Sequence, residues 1–171
     1  MDGTEMRRIS SFPPVAGPMS RALILGSMPS VRSLEEGFYY AHPRNAFWPI
    51  IASVAGEPLP RDIGAKRALI LRRGLALWDT AASCERVGSL DSAMKNVALN
   101  DVAGLLKACP KIELVLLNGG EAYRLFMKMQ LKGVKALRMP STSPAYTLPY
   151  ADKLSAWREA LQDIMKGAVR P

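Results

Sequence analysis

Cysteine and histidine are scarce in this chain of 171 residues, and their scarcity limits the chemistry that the chain can perform. The two cysteines, Cys84 and Cys109, lie far apart and form no CxxC pair, and His42 is the only histidine. A dedicated zinc site or a four-cysteine iron–sulfur cluster needs more ligands of these types than the chain supplies. We therefore expect no metal site and a reduced, cytoplasmic protein.

Long apolar runs and the usual phosphate-binding glycine loops are also absent. No run approaches the roughly 20 residues that cross a bilayer, so we expect no membrane contact. Neither GxGxxG nor GxxxxGKS/T occurs, which gives little support to a small-molecule nucleotide-binding enzyme. Residues 1–20 lack the apolar core of a signal peptide and include Pro13 and Pro14. They predict a flexible N-terminal lead-in over residues 1–20, followed by a single domain over residues 21–167.

Positive charge, by contrast, is in excess. The chain has 23 Lys and Arg residues against 15 Asp and Glu residues, which gives a net charge of +8 and a pI near 9.8. Such an excess favours association with a polyanion without specifying it. A generally solvated basic surface would have the same composition, but nucleic acid is the preferred interpretation.

Short apolar runs alternate with helical patterns along the chain. Strands are predicted over residues 22–25, 75–79, 112–117 and 135–139. Helices are predicted over residues 63–73 and 121–131, with others starting at Asn45 or Pro49, at Asn100 and at Asp152. The polar segment 83–91 is predicted to be a loop. This alternation predicts an α/β fold, a three-layer α/β/α sandwich around a central, mainly parallel four-stranded sheet.

Three of the predicted strands end in loops that are rich in glycine, proline or polar residues. These loops are residues 26–30, 118–120 and 140–146, and the carboxyl ends of parallel strands lie at the same edge of a sheet. The first loop leads into residues 37–48, where three consecutive aromatic residues precede His42 and an Arg-Asn pair. Aromatic faces beside arginine and an amide suit a planar, hydrogen-bonding ligand such as a nucleobase.

These segments together resemble the uracil-DNA glycosylase superfamily, and within it the hypoxanthine-DNA (deoxyinosine) glycosylase branch. The resemblance covers about residues 20–165. Its longest motif is Gly26-Ser27-Met28-Pro29-Ser30 with Gly37-Phe38-Tyr39-Tyr40-Ala41-His42-Pro43-Arg44-Asn45. Shorter motifs that also fit are Leu77-Trp78-Asp79, Cys84-Glu85-Arg86, Gly88-Ser89-Leu90-Asp91, Asn118-Gly119 and Pro140-Ser141-Thr142-Ser143-Pro144-Ala145.

The resemblance includes one departure that bears on the reaction. Most superfamily members have Asp or Asn two residues after the glycine that ends the first strand, whereas this chain has Met28, which cannot orient water. The usual histidine of the C-terminal loop is missing from residues 140–146. The resemblance to the hypoxanthine branch implies that Asn45 takes the catalytic part, alongside its other expected role as a helix N-cap. Asp79 is interpreted as a loop-organising carboxylate rather than as a catalytic group.

The resemblance also implies which other residues contact the substrate. Residues expected around the base are Gly26, Ser27, Met28, Pro29, Phe38, Tyr39, Tyr40, His42 and Asn118. Residues expected on the rest of the DNA are Arg44, Ser141, Thr142, Ser143, Pro144 and Tyr146. The Asn118 amide could accept from N1–H of hypoxanthine and donate to O6, but uracil offers the same pair. Which of Phe38, Tyr39 and Tyr40 stacks on the base stays open.

The implied activity is that of a monofunctional DNA glycosylase that needs no cofactor. It would flip the base out of the DNA and hydrolyse the N-glycosidic bond of deoxyinosine, which releases hypoxanthine. Xanthine would be a further base that it releases. The expected partner is double- or single-stranded DNA that contains a deaminated base, and the expected state is a monomer. Two alternatives remain: a mismatch uracil-DNA glycosylase, against which Met28 argues, and a catalytically inactive DNA-binding module of the same fold.

Overall fold

The computed structural model describes residues 6–168, and the expected lead-in's first five residues lie outside it. The strands of the described chain are β1 (Arg7–Ser10), β2 (Ala22–Gly26), β3 (Leu75–Asp79), β4 (Ala81–Arg86), β5 (Lys95–Leu99), β6 (Leu114–Asn118) and β7 (Ala136–Met139). The helices are α1 (Val31–Glu36), α2 (Phe47–Ala55), α3 (Ile63–Arg72), α4 (Val102–Ala108), α5 (Gly120–Lys128) and α6 (Tyr150–Ala168).

The centre of the molecule is a four-stranded sheet in the order β3-β2-β6-β7, and every neighbouring pair is parallel. The four strands are those predicted from the apolar runs, so the expected sandwich is confirmed. All five residues of β2 are buried, as befits a strand covered on both faces. The register pairs Gly26 with Asp79 and Leu25 with Leu117, which brings the carboxyl ends of three strands to one level.

Helices cover both faces of this sheet. Alternate residues such as Ile24, Leu77 and Leu116 pack into one core cluster with side chains of α2, α3 and α6. The intervening residues, such as Leu25 and Val115, pack into a second cluster with α4 and α5. The two-residue period of a strand therefore divides one sheet between two cores, which makes the three layers.

A second, antiparallel sheet in the order β1-β4-β5 includes part of the segment that was expected to be a loop. The segment over residues 83–91 was expected to be a loop, but β4 runs to Arg86 and inserts Ala81 and Cys84 into a cluster with Met28. Its mostly polar sequence concealed a strand that needs long-range partners. Strand β1 pairs with β4 from Arg7↔Arg86 to Ser10↔Ser83.

The part of the expected lead-in that the structure describes is hydrogen-bonded to both sheets. Besides β1, the backbone of Val15 exchanges hydrogen bonds of 2.9 and 2.8 Å with Leu77, at the outer edge of the central sheet. The Val15 side chain is buried. The prolines of this segment prevent a regular strand but leave a pinned, extended chain.

Several helix boundaries differ from those predicted, because other side chains provide the caps. Asp101, not Asn100, caps α4 by accepting from the Gly104 N–H at 3.0 Å. Asn100 instead donates to the Asp79 carbonyl at 2.8 Å and ties the end of β3 to the second sheet. Helix α6 begins at Tyr150, so that Asp152 lies in its first turn rather than at its cap.

Helix α1 and the absence of a membrane-spanning helix complete the description of the helices. The short α1 was not predicted; the Ser30 side chain caps it, and Gly37 ends it in the left-handed region. Within residues 6–168 there is no helix with the length and apolar character needed to cross a bilayer.

Candidate functional site

A cavity of about 550 Å³ lies at the carboxyl edge of the central sheet, where the loops after β2, β3 and β6 meet the loop after β7. Fourteen of the residues expected in the site line it. They are Gly26, Ser27, Met28, Pro29, Tyr39, Tyr40, His42, Asn45, Asn118, Ser141, Thr142, Ser143, Pro144 and Tyr146. Motifs that are up to 120 residues apart in sequence thus converge on one space.

Phe38 and Arg44 are the two expected residues that do not line the cavity. Phe38 is buried in the core, where its ring stacks on Trp48 at 6.1 Å and meets Tyr39 edge-on. It is therefore corrected from a base-contacting residue to a core residue. Arg44 is exposed outside the cavity, so its contact with DNA stays a prediction.

Tyr39 and Tyr40, two of the three tyrosines that line the cavity, differ in how their hydroxyl groups are used. Tyr39 donates to the Pro13 carbonyl at 2.8 Å, and burial raises its pKa. Tyr40 has a positive φ of 54° and stacks its ring on Phe47 at 4.0 Å. Its buried hydroxyl has no hydrogen-bond partner among the described residues. Burial and the charge of Asp79 raise the pKa of Tyr40, so this hydroxyl stays a neutral donor.

Asn118 ends β6, and Thr142 holds its amide at both ends. The Thr142 backbone N–H donates to Asn118 Oδ1 at 3.0 Å, and Asn118 Nδ2 donates to Thr142 Oγ1 at 3.0 Å. Thr142 is 1% exposed, so its hydroxyl is turned inward and is not free to reach a phosphate. The structure therefore moves Thr142 from the DNA-contacting set to the support of Asn118.

Asn45 precedes α2, and its amide has a structural use as well as a place on the cavity wall. Its Oδ1 accepts from the Phe47 N–H at 2.9 Å, which satisfies one of the free N–H groups at the start of the helix. The N–H of the next residue, Ala46, donates to the Thr142 carbonyl at 3.0 Å. The bond to Phe47 leaves both Nδ2 protons and one Oδ1 lone pair available.

Two carboxyl groups at the cavity were given too little weight by the sequence. Asp79 is 3% exposed, its Oδ2 has no partner among the described residues, and it lines the cavity. Burial, reinforced by the charge of Asp91, raises the pKa of Asp79 to about 7. Asp91 accepts from Ser27 Oγ at 2.6 Å, and burial raises its pKa as well. The motif Gly88-Ser89-Leu90-Asp91 was the signal that could have identified Asp91.

The loop that follows β2 is supported from behind by a buried arginine. Arg86 of β4 is 3% exposed and donates to the Pro29 carbonyl. Its charge opposes the rise in the pKa of Asp79. No sequence pattern indicated this contact, because it depends on the antiparallel sheet that was not predicted.

Helix α6 holds the loop over residues 140–146 in place. The Lys153 ammonium group donates to the carbonyls of Ser143 at 3.0 Å and Tyr146 at 2.7 Å, and burial lowers its pKa. Trp157 donates through Nε1 to the Pro140 carbonyl at 3.0 Å. The Tyr146 side chain is 47% exposed at the rim of the cavity. Helix α6 therefore fixes the backbone of the rim, while rim side chains such as that of Tyr146 stay exposed to solvent.

The cavity thus combines two amides, a neutral tyrosine hydroxyl, the buried carboxyl group of Asp79, the carboxyl group of Asp91 and the loop after β2. Met28 contributes only a thioether to the wall, and a thioether cannot take a proton from water. Such a site can read carbonyl and N–H groups on a planar ligand. It can also orient a water molecule through an amide, but it has no strongly basic group there.

Comparisons with known proteins agree with this geometry. The sequence matches the family model of the uracil DNA glycosylase superfamily over residues 13–165. A protein of Methanosarcina barkeri named hypoxanthine DNA glycosylase is 32% identical over 152 residues, which cover 88% of this chain and 96% of that protein. A protein of Methanosarcina acetivorans with the same name is 32% identical over 147 residues, covering 85% and 93%.

A solved structure shows the same fold. It is a solution NMR structure of a candidate uracil DNA glycosylase from Methanosarcina acetivorans, with a TM-score of 0.81 and 28% sequence identity. The match covers 92% of this chain and 99% of that one.

Proposed function

Because the chain belongs to the uracil DNA glycosylase superfamily and is a DNA glycosylase, we propose that it removes hypoxanthine from deoxyinosine in DNA. One observation carries the proposal: Asn45 and Asn118 line the same cavity, while Met28 stands where most superfamily members have a polar residue. Two relatives over most of the chain bear the name hypoxanthine DNA glycosylase. The chain would act as a cytoplasmic monomer, and xanthine would be a further substrate.

The proposed reaction cleaves the bond between the base and deoxyribose through an oxocarbenium-like transition state. Water captures such a cation readily, so the amide of Asn45 is sufficient to orient the nucleophile. The departing base gains negative charge, and the larger need is to stabilise that charge. Backbone N–H groups of the loop after β2, together with the Nδ2 group of Asn118, would do so.

The base must leave the helix to enter the cavity, at a cost of a few kcal/mol, which is smallest at a mismatch. The exposed rim over residues 143–146 would receive the DNA backbone, since the Ser143 hydroxyl accepts from the Ala145 N–H and can still donate its own proton to a phosphate. Tyr146 is the exposed aromatic residue at this rim and would occupy the gap that the base leaves. Within the cavity, Tyr39 and Tyr40 remain the candidates for stacking on the base.

Uracil is the second candidate substrate. The structural relative from Methanosarcina acetivorans is described as a candidate uracil DNA glycosylase, and uracil presents a carbonyl and an N–H as hypoxanthine does. The absence of an acid or amide at Met28 favours hypoxanthine, since uracil excision in most of the superfamily uses that position.

The test is base release from duplexes that carry one deoxyinosine or one deoxyuridine. We expect hypoxanthine release by the wild type and its loss in Asn45→Ala. Gln162→Ala, which removes an exposed amide from α6, is the matched control and should keep the wild-type rate. Uracil release alone would change the substrate assignment. No release from either duplex, with DNA binding unchanged by Asn45→Ala, would favour an inactive DNA-binding module.

A further inference from the structure

Thr142 connects the two amides of the cavity. Its N–H and hydroxyl hold the Asn118 amide, each at 3.0 Å, and its carbonyl accepts from Ala46, the residue after Asn45, at 3.0 Å. At 1% exposure its side chain has no room to turn toward solvent. Three polar groups of one buried residue are therefore all spent on the segments that carry Asn45 and Asn118.

These bonds determine which end of the Asn118 amide is oxygen and which is nitrogen. A backbone N–H can only donate, so the amide atom that faces it must be the acceptor, Oδ1. The opposite orientation would set the Thr142 N–H against the Nδ2 protons, and two donors would face each other. The Thr142 hydroxyl then accepts from Nδ2. The orientation of this amide is thus fixed by the network rather than left free.

What remains of the amide limits how it can meet a base. Thr142 uses one Nδ2 proton and one Oδ1 lone pair, so a second Nδ2 proton and a second Oδ1 lone pair remain. A fixed Nδ2 proton can pair with a carbonyl oxygen and cannot pair with an amino group.

We propose that Thr142 is a specificity-determining positioning residue: it locks the Asn118 amide so that an N–H donor meets a carbonyl of the flipped base. Deamination converts the amino group of adenine into the O6 carbonyl of hypoxanthine, so this donor selects deaminated bases as a class. The inference rests on the proposed function. It adds that the selectivity depends on Thr142, which acts through Asn118 rather than by contacting the base.

Three variants separate this role from a general structural one. Thr142→Val keeps the shape and the backbone bonds but leaves the Nδ2 proton facing a methyl group. Thr142→Ser restores the hydroxyl. Thr147→Val makes the same Thr→Val change at an exposed position of the same loop, outside the cavity, and is the matched control.

The first measurement needs no substrate. In ¹⁵N NMR spectra, the Asn118 side-chain amide of the wild type, Thr142→Ser and Thr147→Val should exchange slowly with solvent and show contacts to residue 142. In Thr142→Val the exchange should accelerate and the contacts should weaken. An Asn118 amide signal that is unchanged in Thr142→Val would overturn the proposed lock, whatever the enzyme's substrate is.

The second measurement is single-turnover base release from duplexes that contain deoxyinosine or deoxyadenosine at one site. Thr142→Val should slow hypoxanthine release by about tenfold, since a buried donor is left unsatisfied, and Thr142→Ser should restore it. The preference for deoxyinosine over deoxyadenosine should narrow in Thr142→Val, while binding to undamaged DNA stays constant. Equal rates and equal preference in all variants would contradict the inference. No release by the wild type would instead contradict the proposed function, and the NMR result would still decide the lock.

Discussion

At the scale of single residues, Asp79 shows how burial changes the charge of the site. Its carboxyl group lies at the end of β3 with one oxygen unpartnered, and only Arg86 opposes the effects of burial and of Asp91 on its pKa. The pKa rises from 3.8 to about 7. The folded protein therefore holds a proton here at pH values where the unfolded chain has lost it.

This difference predicts an unusual pH dependence of stability. A raised pKa in the folded state stabilises the protein fully below 3.8, and this contribution is lost as the pH rises toward about 7. Between pH 5 and pH 8, the free energy of unfolding of the wild type should therefore fall relative to that of Asp79→Asn by up to about 3 kcal/mol. Urea unfolding at several pH values measures this. Asp163→Asn, an exposed carboxyl on α6, should show no such change, and a pH-independent difference for Asp79→Asn would refute the assignment.

Gly26, at the end of β2, leaves the space that Asp79 and Tyr40 fill. A Cβ atom at this position would lie 2.5 Å from Asp79 Oδ1 and 3.1 Å from the Tyr40 hydroxyl. Both groups are buried, so neither can move aside without altering the cavity.

Gly26→Ala should therefore reduce hypoxanthine release by on the order of a hundredfold, since small displacements of the site are costly to catalysis. Single-turnover release and circular dichroism would separate lost activity from lost folding. The matched control is Gly17→Ala, where a new Cβ would have only an ordinary contact of 3.6 Å with Leu71. Full activity of Gly26→Ala would show that the cavity tolerates the shift.

At the scale of elements, helix α6 acts on the site through the loop that follows β7. Lys153 is 4% exposed and its ammonium group bonds two carbonyls of the loop. Its aliphatic stem is buried with it, so the residue both packs and fixes the rim.

Lys153→Met should keep the packing but release the rim, because the Ser143 and Tyr146 carbonyls lose their donor. Hydrogen exchange of the amides over residues 143–147 should accelerate, and binding to an abasic-site or deoxyinosine duplex should weaken several-fold. Lys166→Met, an exposed lysine in the last turn of α6, is the control and should leave both unchanged. Unchanged exchange at the rim in Lys153→Met would argue against this role of α6.

The elements also show what a sequence can and cannot predict. The central strands were found because each is a short apolar run, and burial on both faces leaves that signature without knowledge of the partners. Strands β4 and β5 were missed because each mixes polar with apolar residues and is stabilised by pairing across the chain, as in Arg8↔Glu85 for β4. The same limitation hid Arg86, whose bond to Pro29 exists only once the second sheet has formed.

The candidate site was accessible from the sequence for a related reason. Its loops follow parallel strands, so topology alone places Gly26, Asn118 and Ser141 at one edge. Which side chain faces inward depends on packing: Phe38 turned into the core beside Trp48, while Tyr39 and Tyr40 reached the cavity wall. The inward hydroxyl of Thr142 likewise depends on Asn118, which lies 24 positions away in sequence.

At the scale of the whole molecule, the net charge of +8 favours approach to DNA. Such attraction is independent of sequence and damage, and it weakens as salt rises because bound counterions are released from the phosphates. Selection of a base must then come from the cavity, since charge alone cannot distinguish one nucleotide from another.

Arg44, exposed beside the cavity, should contribute to this general attraction. Arg44→Ala should weaken binding to damaged and undamaged duplexes alike and lower the salt slope by about one, with base release at saturation nearly unchanged. Fluorescence anisotropy over a range of salt concentrations measures the slope. The control is Arg158→Ala, which removes another exposed arginine, on α6. A loss confined to deoxyinosine duplexes would place Arg44 in base recognition instead.

The most direct test of the central claim is the quantification of free hypoxanthine, by mass spectrometry, after single-turnover reaction with a deoxyinosine–thymine duplex. The wild type should release hypoxanthine, and Asn118→Ala should slow the release by about a hundredfold, because a donor to the departing base is lost. Binding of Asn118→Ala to undamaged DNA should stay close to that of the wild type. Absence of hypoxanthine, or equal losses of release and of undamaged-DNA binding in Asn118→Ala, would contradict the account.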